Sequence, residues 1–402
     1  MKTLALVDTF WHGHHPLYFR LFTKVLLKLG YKVAAFCQQT TEINEWIEQQ
    51  LPNAKANLSL FLIQEGPPSK FPIGRIRRAQ MTLARWETVA QTLRDCLRHA
   101  PDLVLFPCIE PYLSPYLLYR QVDQRFPYDW AGLYCGSTYL RVRQPMAFAR
   151  RGWLDPDEVL KSSHCRALAV QDEQTIPLLQ NKLGFKPIIV FPNAAENIAP
   201  DYDYPSLAQI QAKARGRKII GLLGSQGKRK GVLTLLEVAQ QSVQEDWFFL
   251  FAGEFGANSF SADELQKIEA IVQSQPDNCF FQFGRIPGDS QFHALVEICD
   301  ILFVVYEQYP STSQMLTLAA MFEKPVVANN TYWVGEKVRQ FNLGVCVPEA
   351  DISQCQEAIR QLCNPSYSIE HWLQPNFRAY RDLHSTKQLQ VACQELLNAA
   401  FT

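Results

Sequence analysis

Residues 299–330 combine two apolar runs with a hydroxyl-rich turn and a helix, in the order expected for one parallel βαβ unit. Residues 301–305 form a continuous apolar run, which is typical of a strand buried on both faces of a parallel sheet. A Ser-Thr-Ser turn follows, then apolar residues at helical spacing over 314–322, and then a second apolar run at 324–328. Ligands of open α/β sheets bind beyond the carboxyl ends of such strands.

The hydroxyl turn, Ser311, Thr312 and Ser313, has two interpretations. Ser311 is predicted to be the N-cap of the helix, because Pro310 cannot extend the helix backwards. The helix start would then present free N–H groups, a positive dipole end and three hydroxyls to an anion. Helix capping alone also explains the turn, and this segment by itself favours that simpler explanation.

The length and composition indicate a folded protein with two domains. A chain of 402 residues is too long for one ordinary core, and 47% hydrophobic with 19% charged residues is typical of globular proteins. A formal net charge of zero gives no indication of nucleic-acid binding. The apolar start is too short for a signal peptide, and no apolar run is long enough to span a bilayer. The eleven cysteines are scattered and predict free thiols, so we expect a soluble cytoplasmic protein.

The first half alternates predicted strands with helices, which indicates a doubly wound parallel sheet. The loop after its first strand contains His12, Gly13, His14 and His15. A metal site is conceivable there, but no carboxylate or cysteine lies at a ligand spacing in the sequence. A loop that contacts substrate and a set of ordinary surface histidines both remain open. Residues 136–141 form a second glycine and hydroxyl turn after a strand, ending at Arg141.

Residues 70–98 carry seven basic side chains against two acidic ones, beside an apolar stripe at helical spacing. The stripe predicts the buried face of a long helix. The basic side is most simply a solvated surface, and contact with an anionic membrane or a polyanionic acceptor is the alternative.

The second half begins a new strand and helix alternation after a polar, proline-containing stretch at 199–205, which we interpret as a linker. A strand at 218–223 is followed by the loop 224–231, GSQGKRKG, with three glycines and three adjacent cations. Glycine-rich backbone with Lys or Arg at a strand-to-helix turn is a phosphate-binding arrangement. The spacing differs from the P-loop pattern, and a basic surface turn would look the same.

The order of these pieces resembles the large retaining family of nucleotide-sugar glycosyltransferases with the GT-B fold. The matching elements are Pro-Asn at 192–193, the glycine and lysine loop, FQFGRI at 281–286 and KPVVA at 324–328. The resemblance implies an α/β protein with two Rossmann-like doubly wound domains facing a cleft, and a C-terminal helix crossing back to the first domain. The implied domains are 1–195 for the acceptor, 196–370 for the donor, and 371–402 for the returning helix.

The resemblance also implies roles for particular residues. Lys230 matches the lysine that neutralises the donor diphosphate, while Ser225 stands where the family has an arginine. Arg285 and Ile286 match the segment that contacts the nucleobase. The complete set of predicted donor-binding residues is Gly13, Gly224, Ser225, Lys228, Lys230, Gly231, Arg285, Ile286, Ser311, Thr312 and Ser313.

Two family glutamates are absent, since Leu318 and Pro310 occupy the matched positions. The family histidine of the first domain would fall near Cys135 or Gly136, where no histidine stands. Glu307 and His14 are the replacements that we assign to catalysis. His12, His15 and Arg141 are assigned to the acceptor.

The resulting hypothesis is a glycosyltransferase, hexosyl-transferring and retaining, that uses a nucleoside-diphosphate sugar and a carbohydrate or lipid-linked acceptor. Cations and helix-start amides would stabilise the charge of the leaving diphosphate. No metal, cofactor or nucleic acid is expected, and peripheral contact with the inner face of a membrane through residues 70–98 is a further option. The alternatives are a catalytically inactive GT-B-like protein that binds glycans or partners, and a nucleotide-sugar epimerase.

Overall fold

A computed structural model describes residues 2–64, 74–142, 154–364 and 375–402. The described chain forms two compact units, one of Met1–Pro192 with Ser385–Thr402 and one of Asn193–His384. The 199–205 stretch that we expected to be a linker therefore lies inside the second unit. Residues 70–73 of the basic segment and residues 371–374 of the predicted last domain lie outside the described residues.

The first unit is built on a parallel sheet whose seven described strands run in the order β3-β2-β1-β4-β5-β6-β7. The strands are β1 Thr3–Val7, β2 Lys32–Cys37, β3 Leu58–Leu62, β4 Leu103–Phe106, β5 Trp130–Tyr134, β6 Cys165–Val170 and β7 Ile188–Val190. All residues of β4 and β5 are buried, as expected of central parallel strands that are covered on both faces. The helices in the described part of residues 1–192 are α1 His15–Lys28, α2 Thr40–Gln50, α3 Arg75–Cys96, α4 Tyr119–Asp123 and α5 Ile176–Leu183.

The second unit has a parallel sheet of six described strands in the order β10-β9-β8-β11-β12-β13. The strands are β8 Lys218–Leu223, β9 Trp247–Gly253, β10 Cys279–Phe283, β11 Ile301–Val304, β12 Val326–Asn329 and β13 Gly344–Val347. The described helices are α6 Pro205–Ala214, α7 Val232–Gln241, α8 Ala262–Ser274, α9 Asp289–Ile298, α10 Gln314–Met321, α11 Tyr332–Phe341, α12 Ile352–Cys363 and α13 Phe377–Leu383. Separate apolar clusters cover the two faces of this sheet.

The C-terminal segment, expected to form one returning helix within 371–402, is divided into two helices. α13 ends at Leu383, and α14, Thr386–Phe401, begins anew because the Ser385 side chain accepts a hydrogen bond from the Gln388 amide. His384, between the two helices, accepts a hydrogen bond from the Asn193 amide at 2.9 Å. α14 packs on β6 and α1 and therefore belongs to the first unit. Among the described residues, no helix has the length and apolar character that a bilayer crossing requires.

Candidate active site

The candidate donor site lies where the strand order of the second sheet changes direction. β8 pairs with β9 on one side and with β11 on the other. The chain continues from β8 toward β9 and from β11 toward β12, so the loops that leave these two adjacent strands lead in opposite directions along the sheet. Ligands of doubly wound sheets bind at this position. The two loops are residues 224–231 and 305–313, which contain most of the predicted donor-binding residues.

Main-chain and amide hydrogen bonds hold the glycine-rich loop against β9. The Gly224 amide donates to the Ala252 carbonyl at 2.9 Å. The buried Gln226 side-chain amide donates to three carbonyls, those of Leu222, Gly224 and Ala252, at 2.9 to 3.1 Å. The loop therefore has a fixed conformation that ends in a short 3-10 turn, Lys228–Lys230, before α7.

Gly231 is where the two loops touch. Its φ is +77°, and a Cβ atom there would lie 2.3 Å from the Val305 carbonyl oxygen. A side chain would therefore clash with backbone and strain the left-handed conformation. Glycine at this position lets the loop after β8 approach the loop after β11.

Lys230 contacts the second loop through aromatic rings. Its Nζ lies 3.9 Å from the centroid of the Tyr306 ring and 4.4 Å from that of Tyr309, a cation–π arrangement. The Tyr306 hydroxyl and Ser313 Oγ are 3.0 Å apart. Burial, with a smaller contribution from the Arg229 charge, lowers the pKa of Lys230 to about 8. Lys230 and Ser313, 83 positions apart by number, therefore belong to one contiguous group.

The prediction that Ser311 caps the helix is wrong, because the N-cap position of α10 is occupied by Ser313. The Ser313 side chain makes no hydrogen bond to the helix amides and turns to Tyr306 instead. The N-cap of α7 is Gly231, which has no side chain for capping. Two helix starts thus reach the switch point without a side-chain cap, and Ser311 and Thr312 are half-buried beside one of them.

The other two cations of the loop differ from each other in their contacts. Lys228 Nζ pairs with Glu264 at 2.6 Å, and the Arg229 guanidinium lies 5.4 Å from the Tyr309 ring centroid. Ser225 is exposed. Lys230 and Arg229 therefore both reach the Tyr309 ring of the second loop, and Lys230 also contacts the Tyr306 ring.

Glu307 belongs to the loop after β11 and contacts the loop that carries Lys230. Its carboxylate accepts a hydrogen bond from Thr234 Oγ1 at 3.1 Å, its amide donates to the Arg229 carbonyl, and burial raises its pKa. Leu318, at the position of a family glutamate, is buried in the core. Arg285 and Ile286 follow β10 at the same edge of the sheet, where Arg285 is exposed and Ile286 packs on the core.

The remaining predicted residues belong to the first unit. His12, Gly13 and His14 are exposed in the loop after β1, while His15 is buried with Nδ1 2.8 Å from Asp8. Arg141 ends a 3-10 helix after β5 and pairs with Asp172 at 3.1 Å.

Sequence reasoning missed several residues that follow strands in the two units. In the second unit these are Tyr306 and Tyr309, which flank Glu307. In the first unit they are Asp8, Cys108 and Glu110. Each follows a buried strand by a few residues, so position at a strand's carboxyl end was the available signal.

Comparisons with known proteins agree with this geometry. Residues 203–372 match the family model for glycosyl transferases group 1. No curated protein matches the sequence. A sucrose-phosphate synthase from Thermosynechococcus elongatus is similar in structure, with a TM-score of 0.70, 17% identity, and 100% and 99% of the two chains covered. WaaG, described as a glycosyltransferase of lipopolysaccharide biosynthesis, has a TM-score of 0.61, 16% identity and 98% coverage of both chains.

A third similar structure is HepE from Anabaena, solved with UDP and glucose, with a TM-score of 0.62, 13% identity, and 99% and 100% coverage. The fold is therefore GT-B, as the sequence resemblance predicted. The family match over residues 203–372, within the second unit, supports the predicted glycosyltransferase.

Proposed function

We propose that the protein transfers a sugar from a nucleoside-diphosphate sugar to a carbohydrate or lipid-linked acceptor. The observation that carries the donor assignment is the group formed by Lys230, Tyr306 and Ser313 at the switch point of the second sheet. In this proposal the Lys230 ammonium and the amides at the starts of α7 and α10 bind the diphosphate. They stabilise the negative charge that develops as the sugar leaves.

The structural neighbours support a nucleotide donor. HepE was solved with UDP and with UDP-glucose, and a structure described as trehalose-6-phosphate from E. coli was solved with UDP-2-fluoro glucose. By analogy, Gly224, Gly231 and the backbone at 284–286 would approach the nucleotide. Gly13, from the first unit, keeps its proposed donor role.

The assignments that concern chemistry and the acceptor remain proposals. Glu307 is proposed to act at the reacting sugar because it is half-buried, hydrogen-bonded by Thr234 and close to the Lys230 loop. His14 stays a predicted catalytic residue, and His12, His15 and Arg141 stay predicted acceptor residues. The resemblance supports a retaining hexosyl transfer, which NMR of the anomeric proton of the product would test.

Contact with a membrane surface and a cytoplasmic location are also retained as proposals. In its described part, the basic segment forms the start of α3, where Arg75, Arg77 and Arg78 are exposed beside Ile76, which is 65% exposed. Cationic and apolar side chains together favour an anionic lipid surface. Sedimentation with phosphatidylglycerol vesicles, compared with phosphatidylcholine vesicles, tests this contact.

The experiment that tests the donor site is calorimetric titration with UDP, GDP and UDP-glucose. Saturable binding of at least one nucleotide is expected in the wild-type protein, with a large loss in Lys230→Ala. Lys228→Ala is the matched control, because its ammonium in the same loop is paired with Glu264. Equal affinities in wild type and Lys230→Ala would refute the site.

A further inference from the structure

The first unit contains a second cluster of chemically reactive side chains, at the carboxyl ends of β1, β4 and β5. One potential ligand atom from each of Cys108, Glu110 and Cys135 lies within 4.8 Å of those of the other two. The same holds for His14, His15 and Cys108. Cys108 is common to both sets, so the two sets adjoin at this thiol.

The topology of the sheet explains why the sequence alone does not predict this cluster. β4 lies between β1 and β5, so their carboxyl ends are adjacent although the strands are far apart in the chain. The histidine loop follows β1, Cys108 and Glu110 follow β4, and Cys135 follows β5 directly. The cysteines and the carboxylate that the histidine loop lacks in sequence are thus supplied by neighbouring strands.

Glu110 supplies an independent indication of a ligand. Its Oε1 accepts a hydrogen bond from the Gly136 amide, whereas its Oε2 is buried and has no hydrogen-bond partner. A buried polar atom without a partner is costly, and a carboxylate oxygen in that state is a natural cation ligand.

Asp8, His15 and His14 contact one another in that order. His15 Nδ1 lies 2.8 Å from Asp8, which fixes its ring. The His14 ring stacks on that of His15 at 5.0 Å between centroids and an interplanar angle of 16°. One ligand atom of His14 also lies within 4.8 Å of the Cys108 thiol. Asp8 and His15 thereby position His14 beside the Cys108 thiol.

We propose that His14, Cys108, Cys135 and Glu110 bind one divalent metal ion of the zinc class. Two thiolates, one imidazole and one carboxylate are a donor set that suits tetrahedral Zn²⁺, with ligand bonds of about 2.0–2.3 Å. The two thiols are buried, Glu110 is half-buried with its Oε2 buried, and the exposed His14 provides the route of entry. The proposal gives His14 the role of a metal ligand in place of the catalytic role predicted from the sequence. It also replaces the expectation that no metal is needed.

The test is metal content, which does not depend on glycosyl transfer. The purified protein is stripped with EDTA, reloaded with Zn²⁺ or Co²⁺ under reducing conditions, and desalted. We expect one ion per chain by elemental mass spectrometry, and a thiolate-to-Co²⁺ charge-transfer band in the absorption spectrum. Cys165→Ser is the matched control, because Cys165 is a buried free thiol on β6 of the same sheet, outside the cluster.

Cys108→Ser and Cys135→Ser are expected to lose the charge-transfer intensity and to weaken Zn²⁺ binding at least about tenfold. His14→Ala, at an exposed position, tests the same site with little risk to folding. Lys230→Ala is expected to retain the ion, so a failure of the donor proposal remains distinguishable. Zn²⁺ content near zero in the reloaded wild type would overturn the proposal. So would a Co²⁺ spectrum unchanged by both cysteine variants, or a Cys108–Cys135 disulfide in the protein as isolated.

Discussion

The ammonium of Lys230 lies 3.9 Å from the centre of the Tyr306 ring, and this contact joins the loops that follow β8 and β11. Each loop leaves one side of the sheet's switch point, so the contact marks the place where an open α/β sheet binds its ligand. The Tyr306 hydroxyl extends the contact to Ser313 at the start of α10. A cation and a helix start are thereby held together before any donor binds.

The first prediction concerns the charge of Lys230. Lys230→Gln removes the ammonium and should weaken UDP binding about 10- to 100-fold, the range expected for losing a hydrogen bond to a charged group. Lys228→Gln should change the affinity much less, because Lys228 is paired with Glu264. Titration calorimetry measures both, and equal losses in the two variants would assign the effect to general loop charge.

The second prediction concerns the pH dependence of donor binding. The pKa of Lys230 is lowered from 10.5 to about 8, so the free protein loses this charge as the pH rises through about 8. UDP affinity should therefore fall from pH 7 to pH 9.5. Lys230→Arg should bind UDP with little pH dependence over this range, because a guanidinium remains charged. A wild-type affinity that is flat across this interval would contradict the assignment.

The same pKa shift has an opposite consequence for stability. Between about pH 8 and 10.5 the unfolded chain holds the Lys230 proton and the folded chain has released it. Because the unfolded state binds more protons there, the free energy of unfolding should rise with pH across this window. Lys230→Met should lack that contribution in urea denaturation at each pH. If the free energy of unfolding has the same pH dependence in the wild type and in Lys230→Met, the assigned pKa shift of Lys230 is refuted.

The third prediction concerns the buried hydrogen bond between Tyr306 and Ser313. Tyr306→Phe keeps the ring under Lys230 and removes only the hydroxyl, and Ser313→Ala removes its partner. Each should lower the free energy of unfolding by about 1–2 kcal/mol, because a buried polar atom is left unpaired. The double variant should lose less than the sum of the two, as coupled partners do. Strict additivity would show that the hydroxyls do not interact.

The fourth prediction concerns Gly231. Gly231→Ala should destabilise the protein by about 1–3 kcal/mol and also lower donor affinity, because its Cβ would meet the Val305 carbonyl at 2.3 Å. Gly216→Ala is the control, since its φ of +81° is similar but nothing lies within 4 Å of the added atom. Its cost should be about 1–2 kcal/mol, from the left-handed backbone alone. Equal costs would mean that the Val305 contact relaxes freely.

Much of the donor site could be predicted because its parts carry local signals. The apolar run of β8, the glycines and cations of residues 224–231, and the Ser-Thr-Ser turn each identify an element. The regular alternation predicts a parallel sheet. The choice of N-cap was wrong because Ser311, Thr312 and Ser313 offer the same chemistry. Which one caps α10 depends on Tyr306 holding Ser313, a tertiary contact.

The cluster around Cys108 could not be predicted in the same way. Its members follow three strands, and only the strand order β1-β4-β5 brings those ends together. The sequence showed a histidine loop without nearby metal ligands, and Cys135 as one more apolar thiol. Spacing along the chain can identify metal ligands that lie within one loop. The members of this cluster follow three different strands, so their spacing in the sequence gives no such indication.

Because α14 lies at the end of the chain but packs in the first unit, it affects when that unit can finish folding during synthesis. Its buried residues Leu389, Leu396 and Leu397 cover β6 and α1 of a unit that is otherwise complete at Pro192. During synthesis, the amino-terminal half must therefore wait for nearly two hundred further residues before its last apolar surface is covered. A premature stop just after His384 would leave the second unit whole and the first one unfinished, with exposed hydrophobic strands that chaperones and proteases recognise.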